Sequence, residues 1–275
     1  MYIKIYAGLG NQIFQYCYGL LLQKQGHNVK YILSKTYDKD GRCFDLPEVF
    51  DLYNLKGTIA KNIFAPEGAF KNLRLTAKKI WAKYILHSYQ TGFYQKAEYI
   101  ESLVKDTNIY SFIKFKNAQT YMQSQNYKQI KACKNSVSLH IRGGDYLAKD
   151  SPFTGICTPE YYTNAINYIR KNTKTHHFFI FTNDEQYCSS ILEPLRLKQN
   201  SYTIVQDEPE LKDDPAYDLF LMSNCTNNII ANSTYSWWGA YFNQNNSKIV
   251  ITPSDWIKNG EPTLEQIKCK EWINL

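Results

Sequence analysis

The regular alternation of strand-like and helix-like segments in the second half of the chain constrains the fold more than any other feature. Five segments rich in β-branched and aromatic residues predict strands at 136–141, 177–182, 202–205, 227–232 and 248–252. Helix-like segments separate these strands, and the first of them opens with Thr158 as a cap and Pro159 at its first position. Strands that alternate with helices predict a mostly parallel sheet with helices on both faces.

The N-terminus carries a second unit of the same kind. Segment 2–7 is typical of a strand, 8–11 of a tight turn, and 12–25 of a helix that ends before Gly26. Segment 28–33 is then the next strand, which completes a β-α-β unit. Two such units predict an α/β protein with two Rossmann-like halves that face a cleft.

The middle of the chain is less regular. Between 34 and 131 the sequence contains loops and two expected helices, near 72–87 and 95–106. We therefore predict an N-terminal domain at 1–132 and a C-terminal domain at 133–275, with the last helix as a candidate to return to the N-terminal half.

Composition narrows the class of protein. The chain has 275 residues, of which 44% are hydrophobic and 21% charged, as in ordinary globular proteins. Its net charge of +7 favours acidic ligands such as phosphates, but its lysines are scattered, so no nucleic-acid partner is expected. Seven cysteines without a close-spaced pair suggest neither a disulfide framework nor a metal site. Without a signal-peptide pattern or an apolar window of ~20 residues, we expect a cytoplasmic protein.

In open parallel sheets, ligands bind outside the carboxyl ends of the strands, and four polar groups follow strands there. The first group follows the first strand and consists of Gly8, Gly10, Asn11 and Gln12. Glycines let the backbone approach a ligand, and a helix start offers N–H groups to an anion. The alternative is a structural turn in which Asn11 caps the helix.

The second group follows the strand at 136–141 and contains His140, Arg142 and Asp145. A guanidinium at this point can hold a diphosphate through two parallel hydrogen bonds. Gly143 and Gly144 allow the chain to bend around that anion. The alternative is an ion pair between Arg142 and Asp145 that only stabilises the loop.

The third group is Asn183 and Asp184, which either read a purine edge or ribose, or cap the following helix. The fourth group follows the strand at 227–232 and consists of Asn232, Ser233, Thr234 and Ser236. Hydroxyls and helix N–H groups together favour phosphate binding. Trp237 and Trp238 could stack on a sugar, but adjacent side chains of a helix point in different directions, so at least one is expected in the core.

A basic amphipathic segment at 71–87 offers a further interpretation. Its cations are interleaved with aromatic and aliphatic residues, which is typical of helices that rest on anionic membranes. A peripheral contact with a membrane that carries a lipid-linked acceptor is one hypothesis. A solvated helix packed on the N-terminal half is the other.

Four motifs, "AGLGNQIFQYCYG", "SLHIRGGDYL", "FFIFTND" and "DLFLMSNCTNNIIANSTYSWWGAYF", resemble in order and spacing those of the bacterial α-1,2-fucosyltransferases of glycosyltransferase family 11. The resemblance covers the first thirty residues and most of 136–255. It implies a GT-B architecture with an acceptor-side N-terminal domain and a nucleotide-sugar-binding C-terminal domain. It also implies a GDP-fucose donor, a glycan acceptor, no metal or other cofactor, and inverting transfer to a galactose-type hydroxyl.

The resemblance also assigns roles to residues. Together with the four polar groups described above, it gives the predicted donor-binding residues Gly8, Gly10, Gln12, His140, Arg142, Asn183, Asp184, Asn232, Ser233, Thr234 and Ser236. The predicted catalytic residues are Asp145 and two that the resemblance implies: Arg142, which neutralises the leaving diphosphate, and Asn11, which faces the fucose. Asp145 is the candidate general base, although an ion pair with Arg142 would lower its basicity.

Two residues depart from the family pattern. The family usually has a second arginine where this chain has Gly143, and Ala7 replaces a frequent glycine. Loss of a cation could alter donor choice or be offset by Arg42. The alternatives are therefore a transferase with another nucleotide-sugar donor and a non-catalytic carbohydrate-binding relative.

Overall fold

The computed structural model describes residues 1–33, 45–55, 89–174 and 176–275. These residues form two compact units, Met1–Lys114 and Phe115–Leu275. The predictions for Arg42 and for the basic segment 71–87 lie outside the described residues. In the part of the chain that is described, every helix is too short or too polar to cross a membrane.

The first unit is built on a small parallel sheet. Up to the start of the second unit, the elements are β1 (Tyr2–Ile5), α1 (Leu9–Lys24), β2 (Lys30–Leu33), α2 (Leu46–Val49), β3 (Phe50–Leu52), β4 (Tyr89–Gln90), α3 (Ala97–Leu103) and β5 (Ile113–Phe115). Strands β2, β1 and β4 form the sheet in that order, with both neighbours parallel to β1. The predicted β-α-β unit is therefore present, and α1 packs against β1 and α3.

Helix α1 begins earlier than the sequence predicts. Gly8, with an extended backbone (φ −65°, ψ 160°), is its N-cap, and the N–H groups of Asn11 and Gln12 already donate to the Gly8 carbonyl at 2.9 and 3.1 Å. The predicted start at residue 12 is therefore wrong, and so is the idea that Asn11 caps the helix.

The second unit contains the larger sheet. Its elements are α4 (Ala118–Tyr121), α5 (Gln125–Ala132), β6 (Ser136–Ile141), α6 (Pro159–Asn172), β7 (His177–Thr182), α7 (Glu185–Leu195), β8 (Tyr202–Ile204), α8 (Tyr217–Asn224), β9 (Asn227–Ile229), α9 (Thr234–Phe242), β10 (Val250–Thr252), α10 (Leu264–Ile267) and β11 (Ile273–Asn274). Six parallel strands lie in the order β11-β10-β9-β6-β7-β8. The predicted parallel α/β sheet is confirmed.

The strand order fixes where a ligand can bind. From β6 the chain adds β7 and β8 on one side, and it then returns to add β9, β10 and β11 on the other. The order reverses between β6 and β9, which makes this pair the topological switch point. Loops at the carboxyl ends of these two strands line the crevice that such sheets use for ligands.

The core of the second unit explains the conspicuous tryptophans. Trp237 and Trp238 are both 0% exposed, and the indole N–H of Trp237 donates to the Ile267 carbonyl at 2.8 Å. Both rings therefore pack inside the protein and form no surface for a sugar. Val137 and Leu139 of β6 are also fully buried, as expected for a central parallel strand.

The division into domains differs in position from the sequence interpretation. Helices α4 and α5 pack against α8 and belong to the second compact unit, which begins at Phe115. The end of the chain also belongs to that unit, because β11 pairs with β10. The boundary predicted after residue 132 and the acceptor and donor roles of the two domains stay predictions.

Candidate functional site

Arg142 lies at the end of β6, on one side of the switch point. Its Nη2 donates to Oδ1 of Asp145 at 2.6 Å, and its guanidinium carbon lies 5.1 Å from the ring centroid of Tyr146. The side chain is 22% exposed, yet its buried Nε has no hydrogen-bond partner among the described residues. A buried charged donor without an acceptor is costly. The ion pair proposed as an alternative thus exists, but it leaves part of the guanidinium unsatisfied.

The two glycines after Arg142 are held by the third polar group. The Gly143 N–H donates to Oδ1 of Asn183 at 3.0 Å, and the Gly144 N–H donates to Oδ2 of Asp184 at 3.1 Å. The other carboxylate oxygen of Asp184 accepts from the N–H of Tyr187 at 2.9 Å and caps α7. Both bonds lower the pKa of Asp184, and the bond from Tyr187 has the larger effect. The cap proposed as an alternative is present, and nucleoside recognition by this pair stays a prediction.

The same contact explains why a glycine stands at position 143. A Cβ added to Gly143 would lie 2.6 Å from Cβ and 2.8 Å from Oδ2 of Asp184, closer than such atoms approach. Any side chain at this position would therefore displace Asp184 or the turn. An arginine at position 143, as in the family pattern, does not fit while Asp184 accepts the hydrogen bond from Gly144.

The opposite side of the switch point is the turn from β9 into α9. Ser233 is the N-cap residue of α9, is 5% exposed, and does not cap the helix through its side chain. Its side chain lies beside the hydroxyl of Tyr146. Burial raises the pKa of Tyr146 to about 12, even though Arg142 and Ser233 act to lower it. Tyr146 thus contacts groups from both strand ends. Thr234, in the first turn of α9, is partly exposed.

Other members of the predicted site bond to the protein itself. The amide of Asn232, 2% exposed, donates to the Trp256 carbonyl at 3.2 Å and accepts from the thiol of Cys157 at 3.4 Å. The hydroxyl of Ser236, 0% exposed, donates to the Ser233 carbonyl at 3.2 Å. These side chains fix the turn, and their direct contact with a donor stays a prediction.

His140 and Asp218 flank Tyr235 near the start of α9. The His140 ring is 5% exposed, its centroid is 6.3 Å from that of Tyr235, and its Nδ1 has no hydrogen-bond partner in the described ranges. Burial and the charge of Arg142 lower the pKa of His140 to about 3, so the ring is neutral. Burial and the charge of Asp207 raise the pKa of Asp218 to about 7.

The sequence alone did not assign a role to Asp218, Tyr146 or Tyr235. Tyr146 directly follows Asp145 in the second motif, and Asp218 is the first residue of the fourth, so membership of these motifs was the available signal. What distinguishes Asp218 is its burial beside Tyr235, whose hydroxyl accepts from the N–H of Leu219 at 3.1 Å. That is a tertiary property that no local pattern encodes.

Replacement of Asp218 by asparagine is expected to change how stability depends on pH. Asp218 has a raised pKa in the folded protein, so the folded state keeps a proton that the unfolded chain releases above its ordinary pKa of 3.8. The resulting stabilisation is complete below pH ~4 and is lost as the pH rises through about 7. Asp218→Asn should therefore gain thermal stability relative to the wild type between pH 5 and pH 8. A difference in Tm that is the same at both pH values would contradict this expectation.

The N-terminal group lies in the first unit and is tied together by amides. Gln12, 1% exposed, donates from Nε2 to the Ala7 carbonyl at 2.7 Å and accepts the N–H groups of Asp45 and Leu46, both at 3.2 Å. Oδ1 of Asn11 accepts from Nε2 of Gln95 at 2.6 Å. Gly8 and Gly10 form the start of α1. Contact of this group with a donor stays a prediction.

Taken together, the carboxyl ends of β6 and β9 carry one partly unsatisfied guanidinium, one helix start and one neutral imidazole, and anion binding at this place stays a prediction. Within the described ranges, no three His, Cys, Asp or Glu side chains come together as metal ligands would.

The family described as Glycosyl transferase family 11 matches residues 2–275. Two relatives from Escherichia coli match almost the whole chain. The O-antigen biosynthesis glycosyltransferase WbnK is 29% identical over an alignment of 330 residues, which covers 100% of each chain. The alpha-1,2-colitosyltransferase is 27% identical over 295 residues, which cover 99% of this chain and 97% of the relative.

Solved structures with a similar fold include the fucosyltransferase NodZ and the protein POFUT1. NodZ from Bradyrhizobium has a TM-score of 0.50 at 11% identity, over 86% of this chain and 90% of its own. POFUT1 has a TM-score of 0.50 at 12% identity, over 91% and 97%. At this identity the likeness concerns the fold alone, and it confirms the expected GT-B-like α/β class.

Proposed function

Because the chain belongs to glycosyl transferase family 11, we propose that this glycosyltransferase moves L-fucose from GDP-β-L-fucose to a galactose-type hydroxyl in an α-1,2 linkage. The main support is Arg142, whose guanidinium stands at the switch point with a buried Nε that lacks a partner among the described residues. A diphosphate is the ligand that would satisfy such a group through parallel hydrogen bonds.

The proposed reaction is a single displacement. The oxygen of the acceptor hydroxyl attacks the anomeric carbon of fucose while the bond from that carbon to the β-phosphate oxygen breaks. GDP leaves with the electron pair of that bond, and attack from the opposite face converts the β linkage of the donor into an α linkage. Negative charge grows on the departing phosphate, so Arg142 and the start of α9 at Ser233 and Thr234 contribute most. A cation already in place makes a metal ion unnecessary.

The proton of the acceptor hydroxyl passes to a base, for which we propose Asp145. This carboxylate lies in the turn after β6 and is 51% exposed beside Arg142. The contact of Asn11 with fucose is proposed from the family pattern, and its side chain is held in place by Gln95.

Recognition of the nucleobase is proposed for His140 and Asp218. The side chains of Asn183 and Asp184 are engaged by the glycine turn, whereas Nδ1 of His140 lacks a partner within the described part of the chain. A neutral imidazole and a carboxyl group with a pKa of about 7 can offer both donors and acceptors to a purine edge.

A second donor has a specific observation in its favour. The relative named alpha-1,2-colitosyltransferase is 27% identical over nearly the whole chain. Gly143 also replaces the second motif arginine, and the loss of that cation is a further reason to test a different donor. GDP-colitose is therefore the second candidate. The name of the relative WbnK, an O-antigen biosynthesis glycosyltransferase, supports an O-antigen precursor as the source of the acceptor hydroxyl. A lipid link on this precursor and its location on the cytoplasmic side stay predictions.

A panel of nucleotide sugars tests the function. The purified chain is incubated with methyl β-D-galactopyranoside and, separately, GDP-fucose, GDP-colitose, GDP-mannose or UDP-galactose, with and without EDTA. We expect the release of GDP from GDP-fucose to exceed the release of UDP from UDP-galactose by at least ~10-fold and to persist in EDTA. Turnover of GDP-colitose alone would select the second donor. Calorimetry that detects no GDP binding would favour a non-catalytic carbohydrate-binding protein.

A further inference from the structure

Two neighbouring aromatic rings, the half-buried Tyr6 and the exposed Phe93, stand at the carboxyl edge of the sheet in the first unit. Tyr6 directly follows β1, and Phe93 follows β4, the strand parallel to β1. Their ring centroids are 5.2 Å apart at an angle of 36°, and Phe93 is 43% exposed. Carboxyl ends of parallel strands are where such sheets bind ligands, and this edge of the sheet presents an exposed aromatic ring.

The backbone on both sides of this pair is fixed by one buried amide. Gln15, 0% exposed, accepts the Tyr6 N–H through Oε1 at 2.9 Å and donates from Nε2 to the Gly92 carbonyl at 3.1 Å. A single side chain of α1 thus links the residue that carries one ring to the residue that precedes the other. The spacing of the two rings is therefore set by the core.

The residues after Phe93 are anchored as well. Tyr94 stacks on Tyr18 with centroids 4.1 Å apart and planes 11° apart, and Gln95 donates to Asn11 at 2.6 Å. Because both neighbours of Phe93 are held against α1 or its partners, Phe93 itself is left pointing outward on a rigid segment. A rigid exposed ring loses little conformational entropy when it binds a ligand.

Backbone strain at the same edge supports a functional reason. Ala7 and Tyr94 have φ values of 66° and 51°, in the left-handed region that residues with a Cβ rarely adopt. Strain of this kind persists where surrounding structure imposes it, and it concentrates at ligand sites. Lys4 covers the Tyr6 ring at 5.2 Å from its centroid, which leaves Phe93 as the more exposed ring.

We propose that Phe93, supported by Tyr6, is the platform on which the apolar face of the acceptor pyranose stacks. A single exposed ring is far too small for a protein interface, which needs roughly 800 Å² on each partner, but it matches one sugar ring. Polar groups close in sequence to the two rings suit the hydroxyl groups of a sugar. They are the ammonium of Lys4 and the amides of Asn11 and Gln95. This inference rests on the proposed function, since it names the acceptor site of the same transferase.

Saturation-transfer NMR with methyl β-D-galactopyranoside in the presence of GDP tests the platform directly. In the wild type we expect the strongest saturation at the C–H groups of C3, C4 and C5, the apolar face of galactose. Phe93→Ala should weaken galactoside affinity by about tenfold, and Phe93→Trp should retain it. Tyr53→Ala is the matched control, because Tyr53 is an aromatic residue of the same unit with 57% exposure that follows a different sheet.

The outcomes separate this inference from the proposed function. Equal galactoside affinity in the wild type and Phe93→Ala, or no saturation in the wild type, overturns the platform. An equal loss in Tyr53→Ala also overturns it, because the effect would then not be specific to this ring. GDP affinity, measured by calorimetry on the same samples, should be the same in all variants. Absence of GDP binding in the wild type overturns the proposed function instead, whatever the galactoside does.

Discussion

Replacement of Arg142 by alanine is expected to lower kcat for transfer from GDP-fucose by ~10²–10³-fold, because a pre-placed donor to a developing charge contributes about 3–4 kcal/mol. GDP affinity should fall as well, since the same guanidinium is the proposed partner of the diphosphate in the ground state. Arg142→Lys should remain strongly impaired, because an ammonium group cannot form two parallel hydrogen bonds or lie flat over the Tyr146 ring. Release of GDP under saturating acceptor measures the first effect, and calorimetry with GDP measures the second.

The control for this experiment is Arg170→Ala. Arg170 is exposed in the last turn of α6, so its removal changes the net charge by the same amount at a residue outside the candidate site. We expect its turnover to equal that of the wild type. If Arg142→Ala unfolds at the wild-type temperature and still turns over GDP-fucose at a near-normal rate, the guanidinium does not stabilise the leaving group and the proposed mechanism fails.

The parallel sheet of the second unit could be anticipated because its local signals agree with each other. Apolar strand segments and capped helices predicted this sheet, and the structure contains it. Polar residues at the strand ends predicted a site after β6 and β9, which stays a prediction. Strand β11 was missed because Ile273–Asn274 is too short to display any periodicity. The start of α1 was misplaced because Gly8 acts as the cap through its backbone conformation, which leaves no side-chain signature.

The composition of the candidate site could be predicted only in part. Arg142 and its ion pair with Asp145 followed from residues close in sequence. The bond from Gly144 to Asp184 joins residues 40 positions apart, so no local pattern reveals that this carboxylate braces the turn as well as capping α7. The burial that raises the pKa of Asp218 arises from tertiary packing and is equally invisible in the sequence. Long-range contacts, not residue types, decided which polar side chains of the candidate site bond to the protein itself.

Replacement of Gly143 by alanine is expected to destabilise the protein by about 1–3 kcal/mol and to lower kcat/KM for GDP-fucose by ~10²-fold. The added Cβ would lie 2.6 Å from Cβ of Asp184, and neither atom belongs to a flexible side-chain end that could move aside. If Asp184 shifts, its bonds to the N–H groups of Gly144 and Tyr187 are lost. If the turn shifts, Arg142 moves, and a displacement of about 1 Å at a positioning group can cost ~10²-fold in rate. Urea unfolding and donor turnover measure the two effects.

A second substitution should restore much of what the first removes, and this compensation is the decisive test. Gly143→Ala combined with Asp184→Gly no longer contains the colliding Cβ, and glycine costs only a few tenths of a kcal/mol at an N-cap. The double variant should therefore be more stable than Gly143→Ala alone, with a favourable coupling energy of at least ~1 kcal/mol in the mutant cycle. Gly260→Ala serves as the control, because its Cβ would meet Ile257 at an ordinary 3.4 Å. Strictly additive effects of the two changes would mean that Gly143 is required for another reason. Compensation would show that the side chain of Asp184 is what excludes a larger residue from position 143. The same side chain would then explain why this chain lacks the second arginine of the family pattern.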